Sequence, residues 1–186
     1  MIGGMMSDLP TIEQLQKLPL RAIAAYAARA ARRVRPLLQG VIDDSVVADI
    51  LSIVESVVSA ENFDRLDSPS VLRAAARLMG ASAPIEKSDS QGLAVMCLNR
   101  AALTAYAVLQ GAAEPERASY YAAYAASGAE GAASDLVALD EPAATAAAKA
   151  ARADYEMLQK MLGEHDTVTV GRPIDLSEGS FLGALI

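Results

Sequence analysis

At 186 residues, with one cysteine, no tryptophan and 4% aromatic residues, the chain is long enough to bury one continuous core unaided, and Cys97 alone excludes an intrachain disulfide framework or a cysteine-built zinc site. A formal net charge of -7 argues against a general nucleic-acid binder, which needs a basic surface to displace counterions from phosphates. Alanine supplies much of the 53% hydrophobic share, and its small side chain predicts closely approaching helices with few bulky anchors.

The opening MIGGMMSDLP has no basic region followed by an apolar one, so it does not read as a secretory signal. A short helix is expected in TIEQLQKL. Pro19 to Gln39 gives a strong helical signal with Pro19 in the first turn. A step of about 100° per residue gathers Leu20, Ile23, Tyr26, Ala27, Ala30, Val34, Leu37 and Leu38 on one side. Arg21, Arg29, Arg32, Arg33 and Arg35 fall opposite, as a solvated basic face and a candidate interaction face, and Pro36 ends or kinks the last turn.

From Ser45 to Ala60, valines, Ile50 and Leu51 recur at three- and four-residue spacing, which outweighs the low helix propensity of β-branched residues. SPSVLRAAARLMG shows both ends of a helix, Ser68 as N-cap and Gly80 just beyond the last residue. ASAPIEKSDSQG reads as a loop. Leu93 to Gln110 is apolar almost all round and belongs at the centre of a bundle; Asn99 and Arg100 interrupt it and would need partners there. Its AALTAYAVLQGAA falls short of the roughly 20 apolar residues that span a bilayer.

The segment after Pro115 carries Tyr120, Tyr121 and Tyr124, whose spacing favours core packing over a pocket lining, and Gly128 and Gly131 weaken its end. Asp140 caps a last helix from Pro142 to Gly163. Asp154 projects from that helix's apolar face of alanines, Met157, Leu158 and Met161. The remaining HDTVTVGRPIDLSEGSFLGALI loses the helical period. Phe181, Leu182, Leu185 and Ile186 are apolar enough to need an anchor point, in this chain or in another copy.

The predicted fold is all-α: a single bundle of about five or six helices over residues 1–163, with an irregular tail over 164–186 laid on the bundle or open to a partner. Asp154 and Arg100, each on a face assigned to the interior, are expected to form a buried pair that fixes helix register, with Asn99 or a tyrosine hydroxyl completing the network. His165, the only histidine, follows a helix-ending glycine and reads as an exposed C-terminal residue. Cys97 reads as a small buried hydrophobe. No phosphate loop, dinucleotide fingerprint, paired-carboxylate motif or metal spacing appears, so no cofactor is expected.

LPLRAIAAYAARAARRVRPLL, followed by Ala-rich helices, resembles the N-terminal pattern of all-helical immunity-type proteins of bacterial toxin systems. DYEMLQKMLGEHDTVTVGRPIDLSEGSFLGAL resembles the ending of uncharacterised Ala-rich bacterial proteins of planctomycete type. The first resemblance implies an immunity-like protein, and neither supplies catalytic residues. The combined expectation is a non-catalytic, cytoplasmic helical module with a protein partner, and no nucleic-acid or membrane association. The alternative is a small-ligand-binding protein or enzyme with a polar site around Asp154 and Arg100. Homo-oligomerisation through the apolar tail is a third reading.

Overall fold

The computed structural model describes residues 9–61, 67–81, 90–110, 115–136, 142–162 and 169–176. Among them stand seven α-helices, one 3-10 helix and no strand, which is the all-α fold expected. Thr11 starts the first. Its hydroxyl accepts from the Gln14 amide at 3.2 Å, while Gln14 Oε1 accepts from the Thr11 amide at 2.9 Å. This reciprocal cap satisfies two of the amides that a helix start leaves free and fixes α1, Ile12–Gln16.

Helix α2, Leu20–Val34, is preceded by Pro19, whose ring offers no acceptor to the helix's first amides. Those amides are met from the far end of the chain: Leu20 N donates to the Thr169 carbonyl at 2.8 Å and Arg21 N to that of Val170 at 3.0 Å. Pro36 sits in the 3-10 helix Arg35–Leu38 that closes α2, as the sequence predicts. Asp43 then caps α3, Asp44–Ser59, by accepting from the Ser45 amide at 2.8 Å. The apolar stripe of α3 is the expected one, with Val46, Val47, Ile50, Leu51, Val54, Val57 and Val58 all buried. Each such side chain contributes about 1.5–3 kcal/mol when fully buried, enough to override weak helix propensity.

Helix α4 spans Ser68–Ala81 and takes Gly80 into its last turn rather than stopping before it. Helix α5, Ser90–Leu109, starts earlier than the loop reading placed it. It is the one described helix with the length and hydropathy of a membrane span, yet most of it is buried inside the bundle. Helix α6, Pro115–Leu136, runs through Gly128 and Gly131. A glycine costs about 1 kcal/mol in a helix interior, which the packing of α6 on α1, α2, α5 and α7 offsets. Helix α7 covers Pro142–Leu162; the predicted cap Asp140 and stop Gly163 lie outside the described residues.

The centre is shared. Helix α5 packs on α2, α3, α4 and α6, as its all-round apolarity predicts. Helix α2, expected at the surface, packs on α3, α5, α6 and α7 and is buried at every position from Leu20 to Ala31. Cys97 lies fully buried on α5, as expected, and burial pushes its thiol well above the ordinary range. A thiol reagent such as DTNB is therefore expected to modify Cys97 only in denaturant, because the thiolate is the nucleophile; fast labelling of native protein would contradict this burial.

Residues 169–176 form a strap along α2. After the two carbonyls that cap α2, Gly171 turns the chain at φ +79°, Ile174 N donates to the Val58 carbonyl at 3.1 Å, and Ile174 and Leu176 are buried. Arg32 Nη1 donates to the Leu176 carbonyl. This part of the tail thus packs on its own chain; Phe181, Leu182, Leu185 and Ile186 lie outside the described residues.

Candidate functional site

Among the described side chains of α7 the buried ones are Ala148, Ala150, Ala151, Asp154, Tyr155 and Leu158, a stripe recurring at three- and four-residue spacing that faces α2 and α6. Asp154 therefore enters the interior with its stripe, as the sequence predicts. Its partner is not Arg100. Oδ1 accepts from Arg29 Nε at 2.6 Å and Oδ2 from Arg33 Nη2 at 2.5 Å. The Asp154 side chain is 6% exposed, that of Arg29 3% and that of Arg33 11%. Two guanidinium groups thus enclose one carboxylate between α2 and α7, and each of its oxygens accepts a charge-assisted hydrogen bond. The correction follows from topology: α7 packs on α2, whereas Arg100 stands on α5 and faces α6. Asn99 is half-buried and joins neither group.

The solvated arginine face is corrected with it. Arg21 and Arg29 are buried, Arg32 and Arg33 largely so, and only Arg35 is exposed. Arg21 Nη1 donates to the Ala60 carbonyl at 2.5 Å, at the C-terminus of α3 where a cation is favoured by the helix dipole; burial lowers its pKa from the usual guanidinium value. Arg32 Nε meets Glu55 Oε1 at 2.7 Å. Four of the five arginines are therefore internal ties from α2 to α3, α7 and the strap.

Arg100 occupies a second, separate site. Its guanidinium carbon lies 5.5 Å from the centroid of the Tyr121 ring and 5.9 Å from that of Tyr124. Tyr120 packs against Tyr124 with centroids 4.5 Å apart and ring planes tilted by 38°, and meets Tyr121 edge-on at 5.6 Å. Tyr121 is half-buried and packs against the core as the spacing suggested, whereas Tyr120 and Tyr124 do not, being 42% and 46% exposed. A hydrogen bond and the proximity of Tyr120 raise the Tyr124 pKa, with Arg100 opposing, so this phenol stays protonated at neutral pH. Among the described residues the Arg100 side chain faces no carboxylate.

Tyr124 also lines a groove of about 500 Å³ between residues 9–12 and α6, with Leu9, Pro10, Ile12 and Ala123 supplying apolar walls. A second groove of about 450 Å³ between α3 and α4 is more polar, and its Arg77 is already paired with Asp49 at 3.1 Å. No cluster of histidine, cysteine and carboxylates able to hold a metal occurs among the described residues; His165 lies outside them. Set against known proteins, the chain matches no family model, no curated protein and no solved structure.

Proposed function

We propose that the chain is a non-catalytic, cytoplasmic helical module that binds another protein through the α6 surface built by Tyr120, Tyr124 and Arg100. The observation that carries the reading is the pair of exposed tyrosines in ring contact beside an arginine with no acidic partner among the described residues. Tyrosine and arginine dominate the energetics of protein interfaces because they bring large, rigid contact area together with hydrogen-bond donors. An immunity-like or adaptor role fits such a module. The ligand-binding or enzymatic alternative would draw on Asp154, whose carboxylate is enclosed and doubly paired.

The test is capture from native lysate with tagged wild-type protein, a Tyr120→Ala/Tyr124→Ala variant and a control Arg73→Ala/Arg77→Ala variant. A stoichiometric partner should be retained by wild type and control and weakened by about 30-fold or more in the tyrosine variant, the loss of about 2 kcal/mol typical of an interface anchor. No stoichiometric partner, or equal capture by all three, refutes the reading. A neighbouring toxin gene whose product the chain neutralises on co-expression would select the immunity role.

A further inference from the structure

We infer that the groove beside the tyrosines receives an acidic, apolar segment of the partner protein, with a carboxylate on Arg100 and a large apolar side chain between residues 9–12 and α6. This rests on the protein-binding reading above and adds the chemistry of the partner. The guanidinium carbon lies 5.5 Å from the Tyr121 ring centroid and 5.9 Å from that of Tyr124, a cation–π contact that engages the charge and uses none of the group's five N–H donors in a hydrogen bond to a ring hydroxyl or carboxylate. Arg100 is half-buried, and no carboxylate of the described residues meets those donors. The contrast within the chain is sharp, since Arg29, Arg32 and Arg33 each reach an acidic side chain.

A carboxylate is the group that answers both the charge and the planar fork of donors, in a two-point contact. A cationic ligand is disfavoured, because the tyrosine faces that would hold it already carry Arg100. The adjoining walls, Leu9, Pro10, Ile12, Ala123 and Tyr124, are mainly apolar and reward an aliphatic or aromatic side chain next to the acid.

Fluorescein-labelled peptides test this by anisotropy: one alternates glutamate with leucine and phenylalanine, and its counterpart replaces every glutamate with lysine. The acidic peptide should bind wild type, bind about tenfold or more weakly to Tyr124→Ala and Arg100→Gln, and retain part of its affinity for Arg100→Lys. Arg100→Glu should reverse the preference toward the lysine peptide. Circular-dichroism melts accompany each variant, and Tyr124→Ala, on an exposed residue, supplies the decisive arm if a substitution at Arg100 lowers the melt. No binding of the acidic peptide, or acidic binding indifferent to Arg100 and Tyr124, overturns the inference. Tighter, Tyr124-dependent binding of the lysine peptide overturns the assigned charge while leaving the protein-binding reading standing, which falls only with the lysate experiment.

Discussion

Asp154→Ala is expected to destabilise the bundle by about 3–5 kcal/mol, because it removes one partner of a buried charge cluster and leaves the guanidinium groups desolvated, rather than merely deleting a contact. Arg29 is 3% exposed at its side chain and its Nε meets Asp154 Oδ1; without the carboxylate, its guanidinium remains desolvated and loses that charged acceptor. Arg33, at 11%, has a shorter path to solvent and suffers less. A loss of this size is a large part of the roughly 5–15 kcal/mol that holds a domain folded, so a pronounced fall in the guanidinium chloride midpoint should follow. Asp154→Asn, which keeps the shape and removes the charge, should behave similarly. Replacing Asp154 by Leu together with Arg29 by Met should recover most of the loss, since apolar residues of similar volume commonly match a buried ion pair in stability. A double-mutant cycle of Asp154 with Arg29 should show strong coupling, and one of Asp154 with Arg100 should be additive. Coupling to Arg100, or a cost below about 1 kcal/mol for Asp154→Ala, would contradict the enclosed triad.

That Asp154 is interior was legible in the sequence, and its partners were not, for one physical reason. Helical periodicity assigns residues to a face; it does not say which helices meet. The stripe of α7 could be traced from Ala150, Leu158 and their neighbours, whereas the choice between Arg100 and the pair Arg29 and Arg33 depends on α7 lying against α2. The same limit explains α2 itself. Placing its arginines in solvent assumes a helix buried on one side only, yet each buried arginine finds an acceptor within the bundle. A signal was present: from Leu20 to Ile42 the chain contains no acidic residue and alanines lie on all sides of the arginines, unlike the mixed charges that support exposed helices. For Tyr120 and Tyr124, spacing suits a core and an aromatic platform equally, and only the position of α6 at the bundle surface separates the two. The α3 stripe was read correctly because its one-sided burial needs no knowledge of the partner.

Gly171→Ala is expected to cost about 2–4 kcal/mol, from a left-handed backbone, a steric contact and the helix cap that depends on both. Gly171 has φ +79°, and a Cβ built there would lie 2.7 Å from Cβ of Pro19, the residue that opens α2 without a side-chain cap. The pyrrolidine ring cannot rotate away, so the strap must shift. Any shift pulls on the Thr169 and Val170 carbonyls, which hold the first amides of α2. Gly40→Ala isolates the backbone share: Gly40 has a similar φ of +74° with nothing within 4 Å of the added carbon, so it should cost only about 1–2 kcal/mol. Chemical denaturation gives the difference between the two variants, and hydrogen exchange locates it. The amides of Leu20, Arg21 and Ile174 should lose protection in Gly171→Ala and keep it in Gly40→Ala. Equal costs for the two variants would mean that contact with Pro19 does not constrain the strap. Equal protection of Leu20 and Arg21 would mean that α2 does not depend on it for its cap.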